Sequence, residues 1–140
     1  MKTQKYVAAL LVSVGCASVY AEFVVVVGTK SPVAALTSEQ AAQIFLGKVS
    51  TFPGGEAATP LDQVDGVPIR NEFYENLTNK TQKQVSTIRA NMVFSGKGKP
   101  PKELPSSQDV KKAVAEMPGA IGYIEKSAVD GSVRVVLTQP

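Results

Sequence analysis

Residues 23–29 read FVVVVGT, a phenylalanine and four valines without a polar break. A half-exposed strand alternates apolar and polar residues, so an unbroken β-branched run marks a strand covered on both faces. The rest of the chain must supply that cover. Crossover helices provide it most simply, which predicts an α/β fold with a mostly parallel sheet flanked by helices.

The remaining patterns agree. In LTSEQAAQIFLGK, Thr37 and Gln40 form a capping box, Ala41, Ile44 and Phe45 share one face, and Gly47 is suited to end the helix. TPLDQV, residues 59–64, reads as a second strand. An Asp65-Gly66 turn follows, then Pro68 in a first helical turn, with Ile69, Phe73 and Leu77 at spacing four. Thr81 caps a further helix with Val85, Ile88, Met92 and Val93 as its stripe. SGKGKPPKELP reads as a loop, and Ser107 as the cap of a helix bearing Val110, Ala113, Val114 and Met117. AIGYI and SVRVVL complete the strands.

The first 21 residues read differently. Two lysines in MKTQK precede an uncharged apolar run at residues 6–14, and Val19 and Ala21 are small residues at cleavage positions. This is the pattern of a secretory signal, and the run is too short for a membrane span of roughly 20 residues. Cleavage after Ala21 leaves 119 of the 140 residues, one domain at 22–140, in a periplasmic or secreted setting. The single cysteine, Cys16, lies within the signal; Ser13, where lipoprotein signals usually carry leucine, argues against lipidation.

Composition narrows the chemistry. There is no histidine, and without Cys16 no thiol remains. Ser-His-Asp and Cys-His catalysis and histidine metal motifs are therefore excluded, and no enzyme activity, cofactor or metal is expected. Asp62 and Asp65 are best read as turn and cap residues rather than cation ligands. Without Lys2 and Lys5, 13 basic residues face 12 acidic ones, which is no nucleic-acid footprint. The stretch DQVDGVPIR has another capacity. A glycine turn between strand and helix aims backbone N–H groups and the positive helix end at one spot, and Arg70 adds a guanidinium. The alternative is an Arg70 paired with Glu72, Asp65 or solvent.

Four stretches, IFLGKVSTFPGG, LDQVDGVPIRNEF, FSGKGKPP and PGAIGYIEKSAVDG, together resemble the phosphate-binding proteins that serve ATP-driven phosphate importers, and in particular short exported relatives of them. The family's Ile-Phe-x-Gly-Lys segment is present at 44–48, with Phe52 where tryptophan is usual, and Pro-Gly-Ala-Ile-Gly-Tyr stands at 118–123. The resemblance runs from about Leu36 to about Val136. It implies a single lobe of a type II periplasmic-binding-protein fold, the lobe that is inserted within its partner in full-length members. The family's Arg-x-Asp-Gly-Ser-Gly-Thr turn is altered: Gln63 replaces the arginine, Val67 and Ile69 the hydroxyl residues, and Pro68 the second glycine.

The resulting expectation is a module that binds phosphate or another small oxyanion, weakly or as a homo-oligomer, through Thr29 and Ser31 after the first strand, Asp65 and Gly66 in the turn, and Arg70. The other reading is an envelope protein-interaction module, with Phe52 and Lys97, Lys99 and Lys102 as docking features. Gly119 and Gly122 are expected to serve close packing of helix on strand, with ligand contact the lesser reading.

Overall fold

The computed structural model describes residues 22–138. The signal segment, with Cys16, lies outside the described residues. The elements in order are β1 (Phe23–Gly28), α1 (Ser38–Phe45), β2 (Thr59–Gln63), α2 (Pro68–Thr78), α3 (Gln82–Ser95), β3 (Lys102–Leu104), α4 (Ser107–Glu116), β4 (Ala120–Glu125) and β5 (Val133–Thr138), with a 3-10 turn at Lys126–Ala128.

The five strands form one sheet in the order β3-β2-β4-β1-β5. β2 runs parallel to β3 and to β4, whereas β1 is antiparallel to both of its neighbours, β4 and β5. The α/β class holds, but the sheet is mixed rather than mostly parallel. The valine run reports two-sided cover and carries no information about direction. That cover is as expected: Phe23, Val25 and Val27 pack with α1 and α2, while Val24 and Val26 pack with Val110 and Val114 of α4.

Local signals explain most helix ends. Thr37 and Thr81 both form complete capping boxes, with Gln40 and Gln84. α2 starts at Pro68 and ends at Asn79 in the left-handed region. At α4 the cap is Ser106, whose Oγ accepts from the Asp109 N–H at 3.2 Å. Ser107, the expected cap, is the first helical residue and turns its hydroxyl elsewhere. The lysine loop contains β3, missed because its three residues are held by pairing with β2 rather than by any apolar pattern. The α3 stripe also stops early: Val85 is buried, but Val93 is 60% exposed and Phe94 90%.

The two glycines of PGAIGY have separate causes. A Cβ on Gly122 would lie 2.4 Å from Val110 Cγ1 and 3.3 Å from Val114 Cγ2, so α4 rests directly on β4 there. Gly119 has φ +78°, and a Cβ on it would come within 2.6 Å of the Ala57 carbonyl oxygen. Packing, not a ligand, accounts for both.

Candidate functional site

β2 alternates its side chains between the two faces, and this places two buried polar groups, Asp62 and Gln63, at its C-terminal end on opposite sides of the sheet. Asp62 points into the aromatic layer under α2 and is 1% exposed. Its carboxylate accepts from the hydroxyl of Tyr74 at 2.6 Å, from the hydroxyl of Tyr123, from the Gln63 N–H at 2.8 Å and from Arg89 Nη2 at 3.2 Å. Arg70 Nη2 stands 4.0 Å away. A buried carboxylate survives only when charge and hydrogen bonds replace water, and this one has both. Burial, with Asp62 next in weight, holds the Tyr74 and Tyr123 hydroxyls far above their ordinary range near 10. They therefore stay protonated and act as donors to Asp62.

This has a consequence for alkaline stability. The unfolded chain releases the two tyrosine protons near pH 10 while the folded chain keeps them, so their contribution is full below about pH 10 and is lost above it. The expected limiting fall is about 2.7 kcal/mol per pH unit for two protons. Urea midpoints measured across that range should fall less steeply in Tyr123→Phe than in the unaltered chain; equal slopes would contradict the assignment.

Arg70 is drawn into the same network. It is 5% exposed, and its Nη1 donates to the Gln63 carbonyl and to Glu103 Oε1, each at 3.0 Å. Asp62, ahead of Glu103, drives its pKa upward against the opposing effect of burial. Its partners are thus Asp62 and Glu103, neither Glu72 nor Asp65. The turn before α2 is similarly occupied. The Gly66 N–H donates to Asp65 Oδ1 at 2.9 Å, Val67 to the Val64 carbonyl at 3.4 Å and Arg70 to the Val67 carbonyl at 3.0 Å, and Pro68 has no N–H. Among residues 66–70 only the N–H of Ile69 is left, on a residue 1% exposed.

The five expected site residues do not come together. Val27 pairs with Ile121 and Phe23 with Glu125, while Thr59 pairs with Ala120 and Leu61 with Gly122. β1 therefore ends where β2 begins. Thr29 and Ser31 lie at one end of the sheet and Asp65, Gly66 and Arg70 at the other, roughly 20 Å apart at ~3.3 Å per strand residue. The loop after β1 is instead clamped by Arg134, which donates to the carbonyls of Thr29, Ser31 and Val33 at 2.8–3.0 Å.

Two cavities mark the two ends of α4. The larger, about 460 Å³, holds Lys30 and Ser31 together with Glu56, Glu116 and the last turn of α4. A helix C-terminus presents carbonyls and the negative end of the dipole, so this cavity suits an anion poorly. The smaller, about 290 Å³, lies beyond the ends of β2 and β4, among Gln63, Val67, Ser106, Ser107, Gln108 and Glu125. Here α4 begins. Ser106 caps the N–H of Asp109, while those of Ser107 and Gln108 have no carbonyl within the helix to meet. Ser107 Oγ accepts from Gln63 Nε2 at 3.2 Å and from the Glu125 N–H at 3.3 Å, which leaves its own proton available. Sequence reading missed this site because Ser107 resembled a cap, and because Gln63 and Ser107 lie 44 positions apart.

The described residues thus form a mixed five-stranded sheet with α1 and α2 on one face and α4 on the other. Among solved structures, the chain is similar to a phosphate transporter substrate-binding protein of Clostridium perfringens with bound phosphate, at 24% identity and a TM-score of 0.67, over 82% of this chain and 44% of that one. It is also similar to a phosphate transport receptor of Vibrio cholerae, at 22% identity and a TM-score of 0.67, over 82% and 45%. The fold is that of the phosphate-binding proteins, and the chain spans less than half the length of these relatives. No family description matches the chain, and no curated protein matches it in sequence. Among the described residues, no helix is long and apolar enough to cross a membrane.

Proposed function

We propose that the chain is an exported, non-enzymatic solute-binding lobe that takes a small anion at the rim where β2 and β4 end. The observation that carries this reading is the start of α4, where Ser107 and Gln108, whose N–H groups meet no carbonyl within the helix, both line one cavity. A single lobe covers one side of a ligand, so affinity in one chain is weak, and a second copy facing the rim would strengthen it. The site moves from Thr29, Ser31, Asp65, Gly66 and Arg70 to α4. Of the five, Arg70 and Asp65–Gly66 border the same end of the sheet and hold Gln63 and the turn in place.

Calorimetric titration with phosphate, sulfate and small carboxylates tests the proposal. A ligand at 100 times its Kd is expected to add about 2.7 kcal/mol of stability, and Ser107→Ala to reduce that gain. Silence across all the anions would favour the second reading, a protein-interaction module. That reading has its own support in Val93 and Phe94, exposed at the end of α3 beside Lys97 and Lys99.

A further inference from the structure

We infer that the outer face of α3, with the loop that follows it, docks on an anionic lipid surface. α3 packs through Val85 on the α1–α2 side of the sheet, away from α4, so this surface does not depend on the anion reading above. Lys83, Thr87, Ala90 and Phe94 recur at helical spacing opposite the buried Val85, and all four are exposed. Phe94 is 90% exposed and Val93, beside it, 60%. An apolar pair alone is ordinary on a protein surface, but the charge around this one is not. From Asn76 to Lys102 there is no carboxylate, and six cations stand there: Lys80, Lys83, Arg89, Lys97, Lys99 and Lys102. The rest of residues 22–140 carries seven basic against twelve acidic groups. A molecule whose charge is divided in this way is drawn to a negative surface and oriented on it, basic side inward.

The kind of cation selects the partner. All three arginines are spent within the fold: Arg70 on Glu103 and the Gln63 carbonyl, Arg89 on Asp62 and the Tyr74 hydroxyl, Arg134 on the loop after β1. The other five cations of the stretch are lysines, and among the described residues no carboxylate lies within 4.0 Å of their ammonium groups. Protein interfaces favour arginine and are depleted in lysine, because a rigid guanidinium fork matches one carboxylate whereas an ammonium on a flexible stem is a point charge. A lipid surface presents diffuse charge without fixed geometry, which lysines meet without being ordered. Lysine stems also lie along apolar surface while their ammonium groups stay in water, and so flank a Phe94 ring entering the headgroup boundary. Val93 and Phe94 also support the protein-interaction reading above; the lysines beside them favour lipid.

The chain has no tryptophan, so Phe94→Trp places a single indole at the inferred contact. The full chain carrying it is mixed with vesicles of phosphatidylcholine alone, or of phosphatidylcholine with about one third phosphatidylglycerol. With the anionic vesicles the emission is expected to shift to the blue and to be quenched by lipids brominated on the acyl chain; with the neutral ones it stays unchanged. Salt at about 0.5 M is expected to reverse the shift. In cosedimentation, Lys97→Gln combined with Lys99→Gln is expected to weaken association about thirtyfold, and Phe94→Ser about tenfold. All three positions are exposed, so thermal unfolding should not move. Attachment through the first 21 residues would persist in the lysine variant, so equal association of that variant and the parent would overturn the inference. An equal response to both vesicles would do the same, since the lysines would then play no part. Emission unchanged with the anionic vesicles would also overturn it and leave the surface to a protein partner.

Discussion

Asp62→Ala is expected to lose about 3–5 kcal/mol of stability, the range for breaking a buried ion pair from one side. Against a total of about 5–15 kcal/mol for a domain of this size, that loss leaves the fold marginal. The carboxylate is the common acceptor of Tyr74, Tyr123 and Arg89. Without it, Arg70 keeps the Gln63 carbonyl and Glu103, but Arg89 retains only the Tyr74 hydroxyl among these groups. Both phenols become buried donors without their acceptor, and the Asp62 space stays empty. Asp62→Asn preserves the volume and one acceptor oxygen, so it should fall between. Because the groups act together, Tyr123→Phe is expected to cost less in the Asp62→Ala background than alone. Urea denaturation of the parent, the three single variants and the double variant decides it. An alanine variant within about 1 kcal/mol of the parent would show that the carboxylate does not organise this core.

Phe73→Ala is the second large effect, again about 3–5 kcal/mol. Phe73 has no exposed surface and stacks on Tyr123 with ring centroids 4.0 Å apart and planes 7° off parallel. Its edges meet Phe23 at 5.3 Å, Phe45 at 4.7 Å and Tyr74 at 5.0 Å. One ring thus ties α1, α2, β1 and β4 together, and its removal leaves a cavity that four elements border. The stacking also fixes the plane of Tyr123, whose hydroxyl serves Asp62. Phe73→Leu refills much of the volume without the stack and should recover a large part of the loss. Thermal unfolding of both variants measures this; alanine no worse than leucine would mean the site collapses freely.

What the sequence revealed divides along the range of the interactions. The Thr37 and Thr81 boxes, the Pro68 start and the buried spacing of Ile69, Phe73 and Leu77 involve residues at most a few turns apart, and local chemistry decides them. The direction of β1 is set by which strands flank it, and nothing in FVVVVG encodes that. Asp62 and Tyr123 are 61 residues apart, so their pairing exists only once β2 and β4 are neighbours. Arg70 is the clearest case. Its helix-start position fits an anion ligand equally well whether or not Asp62 and Glu103 have already engaged it. Ser106 bends out of the helix and caps Asp109, while Ser107 stays within it and meets Gln63 and Glu125, partners far away in sequence.

The pairing of β1 with β5 has a topological consequence. Val24 lies opposite Thr138, about 5 Å away at the usual strand spacing, so the first and last described strands bring residues 22 and 138 to the same corner of the sheet. A short linker closing residue 138 onto residue 22 would leave the sheet order unchanged and restrict the unfolded chain. New ends opened in the exposed glycine-lysine segment at 96–99 would then cut no sheet pairing. Joined in this way, the unit is expected to keep its tertiary contacts when the break is relocated to that segment.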